Sequence, residues 1–341
     1  MIATGNGRGY RLDRDAPLYV AGHRGLVGSA LWRLLRAEGF TRLLGRASTE
    51  LDLRDRNAVF EFFDATRPDC VVLAAARVGG ILANSTRPVE FLSDNLRIQL
   101  NVFDAALRFG TGRVLFCGSS CIYPRLAAQP ITEDSLLTGP LEPTNDAYAI
   151  AKIAGVVQVQ AVRRQYGTRW ISVMPTNLYG PGDTFDPDDS HVLPGLLHRM
   201  HVAARAGAPE FVVWGTGTPR REFMHVDDAA RACLLALERY DQPAPLNIGV
   251  GSDISIRELA ELIAGVVGYP GRLVFDPGRP DGTPRKLLDV SRLASLGFHP
   301  AVSLLDGLRS TYRWYLAQAG EPGPGAVEAS PVLSGRHGSV R

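Results

Sequence analysis

Cysteine is scarce in this sequence, and the few present follow no pattern. Cys70, Cys117, Cys121 and Cys233 stand at irregular spacings in 341 residues. That gives neither the CxxC spacing of a metal site nor a disulfide framework. No apolar run approaches the roughly 18 residues that a membrane span requires. The opening stretch, MIATGNGRGYRLDRDAP, has no apolar core of signal-peptide length, so a cytoplasmic protein is expected. Neither sign of charge dominates: 37 Lys and Arg against 35 Asp and Glu leave a net +2. So small an excess gives no reason to expect nucleic acid or an anionic membrane as partner. Internal repeats and low-complexity core segments are also missing.

What remains is the composition of an ordinary soluble chain, long enough for one large α/β domain or two smaller ones. Residues 1–17 are expected to be a flexible extension, and residues 319–341, rich in Gly, Pro and Ser, a disordered tail. Between them short apolar runs alternate with helical stretches. LYVAG (18–22), CVVLAAA (70–76), RVLFCGSS (113–120) and WISVMPTNLYG (170–180) each read as one strand. Strands apolar throughout and separated by helices predict an α/β fold with a doubly wound parallel Rossmann sheet. After about residue 185 the alternation loosens, with FVVWG and RLVFD as further strands. The expected organisation is a dinucleotide-binding domain over 18–185. Residues 186–318 are then a smaller, partly interleaved α/β substrate lobe, with some segments returning to the first domain.

The first strand runs into GHRGLVG, which places Gly22, Gly25 and Gly28 in a GxxGxxG spacing around Leu26 and Val27. Such glycines allow a tight turn and a close approach of backbone to a pyrophosphate, which then sits on the N-terminus of the next helix. Strand before and amphipathic helix after are the context this requires. The stretch after the second strand, LLGRASTELDL, offers Arg46 and no acid at the strand end. Arg46 and Arg24 together favour the 2′-phosphate of NADP(H) over the bare ribose of NAD.

Tyr148 and Lys152 form a YxxxK pair within NDAYAIAKIAG. Four residues apart on a helix they share a face, so the ammonium is expected to lower the tyrosine pKa. Ser119, upstream at a strand end, is placed to hydrogen-bond the same substrate oxygen. Glycine loop, serine and YxxxK in this order imply hydride transfer between a nicotinamide and a carbon bearing oxygen, which needs no metal.

The longer stretches AGHRGLVGSA, LAAARVGGI, GSSCIYP, LEPTNDAYAIAKIAG, MPTNLYGP, SHVLP, REFMHVDD and PDGTPRKLLDV lie in order over residues 18 to 315. In these the chain resembles the extended short-chain dehydrogenase/reductase family, whose members act on nucleotide sugars. Within it the match is to the branch of GDP-4-keto-6-deoxymannose 3,5-epimerase/4-reductases, the GDP-L-fucose synthases. That resemblance implies that Cys121 is the base and His191 the acid that invert C3 and C5 of a 4-keto sugar. Reference pKa values of about 8.5 and 6.5 suit both to proton exchange near neutrality. Ser119, Tyr148 and Lys152 would then serve the C4 oxygen during reduction. It further implies that Ser119, Lys152, Asn177, Leu178 and His191 border the cofactor. Arg199, Trp214, Arg221, Asp281 and Lys286 would hold the GDP-sugar, the cations suiting a diphosphate, and the chain would form a homodimer through the YxxxK helix. Cys70, Cys117 and Cys233 read as packing residues.

Two positions depart from the branch: Ser48 stands where a second basic residue often follows strand two, and AAARVGG carries Arg77 where lysine is usual. Three rival enzymes and one non-enzyme have distinct signatures. A GDP-L-colitose synthase-like enzyme acting on a 3,6-dideoxy sugar would share these motifs. A 4,6-dehydratase needs an Asp-Glu pair where Cys121 and Ile122 stand, and a simple 4-epimerase has no use for the cysteine. A Rossmann protein that only senses the NADP pool would not need Ser119, Tyr148 and Lys152 together.

Overall fold

The computed structural model of the chain describes residues 10–186, 190–279 and 281–320. The first strand, β1 (Leu18–Ala21), is buried at every position and turns sharply into helix α1 (Leu26–Ala37). There follow β2 (Leu43–Leu44), α2 (Arg56–Thr66), β3 (Cys70–Leu73), α3 (Ile81–Thr86) and α4 (Pro88–Arg108). Asp55 starts α2 by accepting hydrogen bonds from the N–H groups of Asn57 and Ala58. Next come β4 (Arg113–Cys117), α5 (Asp146–Tyr166), β5 (Ile171–Pro175) and β6 (Asn177–Tyr179). Gly167 ends α5 in the left-handed conformation, φ 67°.

The later chain gives α6 (Val192–Arg205), β7 (Glu210–Trp214), β8 (Arg220–Arg221), β9 (Phe223–His225), α7 (Val226–Arg239) and β10 (Leu246–Ile248). It finishes with β11 (Ile254–Ser255), α8 (Ile256–Val267), β12 (Arg272–Asp276), β13 (Arg285–Lys286), α9 (Ser291–Ser295) and α10 (Leu304–Ala319).

Six parallel strands form the main sheet in the order β10-β5-β4-β3-β1-β2. Successive residues of β1 serve opposite faces. Leu18 and Val20 pack with Leu31 and Leu35 of α1 and Leu237 of α7, while Tyr19 and Ala21 pack with Phe63, Phe103 and Val156 of α2, α4 and α5. Both faces are covered, which is why the strands carry no polar alternation. The strand order reverses between β1 and β3, and the crevice that a doubly wound sheet offers a ligand opens at their carboxyl ends. β7 and β12 pair in parallel, and a third core gathers Leu193, Leu197, Phe211, Val213, Leu259, Ile263, Leu308 and Tyr312 around α6, α8 and α10. β10 is the late segment that joins the large sheet.

Three sequence expectations need amendment. The run 170–180 is two strands, not one: β5 lies in the main sheet, while β6 pairs with β9. Thr176, between them, donates its N–H to the Ile248 carbonyl and its hydroxyl to the Glu222 carbonyl. The N-terminal extension is anchored from residue 10. Tyr10 donates its backbone N–H to the Glu238 carbonyl, and the Arg113 and Arg169 guanidiniums lie 5.1 and 5.2 Å from its ring. Residues 1–9 and 321–341 lie outside the described residues, so of the expected tail only Ala319 and Gly320 are seen, closing α10. No described helix is long and apolar enough to cross a membrane.

Candidate active site

The turn after β1 is built by glycines with different duties. Gly22 has φ 85°, and a Cβ on it would lie 2.8 Å from the Ala75 nitrogen beyond β3. A Cβ on Gly28 would fall 2.0 Å from the Gly22 carbonyl oxygen. Gly25 is different: its φ of −79° suits any residue, and the nearest atom to an added Cβ is 3.5 Å away. Protein packing therefore does not explain Gly25, whereas a ligand lying on the turn does. Gly25 is also the N-cap of α1 and supplies no side-chain cap, so the first N–H groups, at Leu26 and Val27, are available to an anion. A recess of about 310 Å³ opens here, lined by Gly22, His23, Arg24, Gly25, Arg46, Ala47, Ser48 and Thr49. Arg24 and Arg46 are exposed at its mouth; no carboxylate is among its described lining residues, the nearby Glu50 accepting the Ala47 N–H and lying within electrostatic reach of both guanidiniums. These groups fit a dinucleotide that carries an extra phosphate on its adenosine ribose.

Ser119 ends the extended segment after β4, and its hydroxyl oxygen accepts from the Cys121 N–H at 3.2 Å. Tyr148 and Lys152 lie one turn apart on α5, both buried. The expected depression of the tyrosine pKa is not found. Burial drives Tyr148 upward, the nearby Cys121 adds to this, and the Ser119 hydroxyl only partly opposes it. The reason is where the lysine points: Nζ of Lys152 donates to the Cys117 carbonyl at 2.8 Å and sits 5.8 Å from the centre of the Tyr148 ring. Lys152 is itself brought down to about 8 by burial.

Cys121 lies on a single 3-10 turn, Ser120–Ile122, and is half-buried. Two donors face its sulfur, Asn145 Nδ2 at 3.3 Å and Lys286 Nζ at 3.6 Å. Burial pushes the thiol up, but the Lys286 ammonium and the Ser119, Lys286 and Asn145 hydrogen bonds together outweigh it and bring it below the ordinary thiol value. His191 is the N-cap residue of α6, and its side chain is exposed. Desolvation by neighbouring protein and then the Lys286 charge bring its imidazole down.

The residues expected around the nucleotide divide. Trp214, half-exposed at the end of β7, has the guanidinium of Arg199 5.0 Å from its ring centre and that of Arg279 5.1 Å away. Arg221, largely buried, is brought down by burial and faces Glu142, Cys121 and Asp281. Asp281 accepts from the N–H and hydroxyl of Thr216 at 2.7 and 2.8 Å, fastening its loop to the turn after β7. Asn177 donates its amide to the Glu222 carbonyl at 2.8 Å, and the neighbouring Leu178 packs on the core of the main sheet. β13 delivers Lys286 to Cys121, its Nζ 3.6 Å from the sulfur.

Sequence reasoning passed over Asn145, Glu142 and Glu222. Asn145 had a signal: it occupies the N-cap of α5, yet its side chain makes no capping bond. Glu142 accepts from Thr283 and pairs with Arg125. Glu222, wholly buried, accepts the N–H groups of Val250, Gly251 and Leu288.

The model of the NAD dependent epimerase/dehydratase family matches residues 18–249. GDP-L-fucose synthase 1 of Arabidopsis thaliana is 57% identical over 304 residues, 89% of this chain and 94% of its own length. GDP-L-fucose synthase of Escherichia coli (strain K12) is 53% identical over 308 residues, 88% of this chain and 96% of its own. GDP-L-colitose synthase of Yersinia pseudotuberculosis is 33% identical over 301 residues, 88% of this chain and 97% of its own. Among solved structures, a GDP-L-fucose synthetase from Naegleria fowleri bound to NADP is similar with TM-score 0.84. It shares 30% identity, the match covering 92% of this chain and 98% of that one.

Proposed function

We propose that this chain, which belongs to the NAD dependent epimerase/dehydratase family, converts GDP-4-keto-6-deoxy-D-mannose to GDP-L-fucose by 3,5-epimerisation and NADPH-dependent 4-keto reduction. The observation that carries the reading is Cys121, a thiol faced by two donors on the same short turn as Ser119 and electrostatically coupled to Tyr148. A carbonyl reductase alone has no work for such a group. Protons α to a ketone are acidic because the enolate is delocalised, and their removal needs a base already free of its proton.

In the first step Cys121, as thiolate, takes a proton from the carbon next to C4. The C–H bond breaks, S–H forms, and the electron pair moves to the C4 oxygen. The hydroxyls of Ser119 and Tyr148 stabilise that oxygen. His191 returns a proton to the opposite face and inverts the centre; once Cys121 has released its proton to solvent and His191 has regained one, the same exchange serves the second of C3 and C5. For this His191 must be charged, and Lys286 opposes that in the free enzyme. The anionic diphosphate of the substrate has the sign that offsets Lys286.

NADPH, when bound, supplies the hydride for C4. Tyr148 gives its proton to the C4 oxygen, and its upward-shifted pKa keeps the phenol protonated for that purpose. Lys152, on the same helix face, serves the phenolate left behind only by turning its ammonium away from the Cys117 carbonyl, which holds it at 2.8 Å. Arg24 and Arg46 are our candidates for the 2′-phosphate, and Arg199, Trp214, Arg221 and Asp281 for the GDP moiety.

We also infer a homodimer. Helices α4 and α5 pack on one another and expose Leu100, Ile150 and Val157 on their outer surface. Exposed apolar side chains on adjacent helices suit burial against a second copy. The reaction is placed in the cytoplasm, where a reducing environment keeps a working thiol free.

The test is incubation with GDP-4-keto-6-deoxymannose and NADPH in deuterated water. Cofactor oxidation with deuterium at both C3 and C5 supports the reading. Oxidation without exchange makes the enzyme a simple ketoreductase. Preference for the 3,6-dideoxy substrate makes it a colitose-type enzyme, and neither signal refutes the substrate assignment.

A further inference from the structure

Lys286 carries a charge that the mechanism above leaves without an assigned task. It sits on β13, whose two residues pair in parallel with Arg220 and Arg221 of β8. The chain immediately beyond is fixed from several sides. Leu287 donates to the Gln129 side chain at 2.8 Å, and its carbonyl accepts from Ile131 at 2.7 Å. Leu288 donates to Glu222 at 3.0 Å, and Asp289 donates to the Ile131 carbonyl at 2.8 Å. The lysine stem therefore leaves a rigid base, and its head lies 3.6 Å from the Cys121 sulfur.

We propose that Lys286 is a positioning residue for the epimerisation, holding Cys121 as a thiolate before any substrate arrives instead of acting first as a diphosphate anchor. The inference rests on the reading of Cys121 as the base. The other groups facing that sulfur favour Lys286 as its counter-ion. Asn145 and Ser119 are neutral. Tyr148 is a protonated phenol, and a negative neighbour only raises it further. Arg221 is cationic and near, but its Nη1 donates to the Arg220 carbonyl at 2.8 Å, and Glu142 and Asp281 share its charge. Among the described residues Lys286 alone brings a cationic head into direct contact with that sulfur. It also faces His191, so removing it should shift both members of the acid–base pair in the same direction.

The experiment reads the thiolate without turnover. Alkylation of Cys121 by iodoacetamide would be followed across pH 5–10 in the substrate-free full chain, with the labelled peptide quantified by mass spectrometry. Cys70, Cys117 and Cys233 are buried, and Cys121→Ser gives the background. Wild type is expected to show an inflection below the free-cysteine value of about 8.5. Lys286→Met should move it up by about one unit, an approximately tenfold loss of labelling rate at pH 7, and Lys286→Arg should recover most of that loss. Lys286→Gln repeats the test if the Met variant does not fold.

An unchanged inflection in Lys286→Met or Lys286→Gln, with KM for the GDP-sugar raised and kcat retained, would overturn the proposal and make Lys286 a phosphate anchor. A wild-type inflection at the free-cysteine value would overturn it as well. Failure of the substrate assignment is visible separately, as absent turnover in a wild type whose labelling profile is still depressed.

Discussion

The three glycines of the first turn make a prediction that separates folding from cofactor binding. Gly25→Ala introduces a methyl whose nearest protein atom is 3.5 Å away, at a backbone φ of −79° that alanine accepts. The free protein should be unharmed, and loss of unfolded-state freedom should stabilise it by about 0.4–1 kcal/mol. The methyl projects, however, onto the surface where the pyrophosphate must approach the backbone. A tenfold loss of NADPH affinity corresponds to about 1.4 kcal/mol. At a cofactor concentration 100 times the wild-type Kd, ligand stabilisation is about 2.7 kcal/mol for wild type and falls to about 1.4 kcal/mol for the variant. Gly28→Ala behaves oppositely. Its methyl would sit 2.0 Å from the Gly22 carbonyl, and the required shift should cost about 3 kcal/mol or more with no ligand present. Thermal unfolding of both variants with and without NADPH distinguishes the two effects. If Gly25→Ala keeps the full cofactor-induced rise in Tm, the dinucleotide does not cross this turn and the reasoning fails.

Other outcomes follow from the same geometry. Tyr148→Phe should lower kcat for C4 reduction by about 10²–10⁴-fold, while deuterium exchange at C3 and C5, read by NMR, survives in part. Arg24→Ala combined with Arg46→Ala should raise KM for NADPH and leave that for NADH nearly unchanged in steady-state assays, because only the first carries the phosphate we assign to these arginines. Asp183 is pushed up to about 7 by burial, and one of its carboxylate oxygens is buried without a hydrogen-bond partner among the described residues. The folded state thus keeps a proton that the unfolded chain releases, so stability falls as pH rises from about 4 to 7 and then levels off. Asp183→Asn should flatten that slope, raising Tm more at pH 8 than at pH 5; an equal change at both would refute the assignment. Val157→Glu should convert a dimer to a monomer in light scattering, and an unchanged mass would move the interface elsewhere.

What could be read in advance follows the range of the interactions. The glycine turn, Ser119 and the Tyr148–Lys152 pair are local patterns, set by the ends of strands and the pitch of a helix, and their spacing identified them. Helical spacing gives Tyr148 and Lys152 proximity but says nothing of burial or of the carbonyl that captures the lysine, so it misleads on the tyrosine pKa. Lys286 and Cys121 are 165 residues apart, and no short-range pattern joins them. The run 170–180 looked continuous because apolar residues fill both strands; only pairing partners from β9 and β10, far along the chain, divide it at Thr176. Tyr10 reads as part of a loose leader because its anchors, the Glu238 carbonyl and two arginines, come together only in the fold.

The bonds that fix residues 287–289 to Gln129, Ile131 and Glu222 have a consequence for how the molecule is filled. They hold the segment after Lys286 against three separate parts of the chain, so the backbone from which that lysine reaches Cys121 has little freedom to move. If Cys121 is the base we propose, the hexose meets a surface already set before it arrives, and a sugar with one group misplaced finds no backbone there that can shift to receive it.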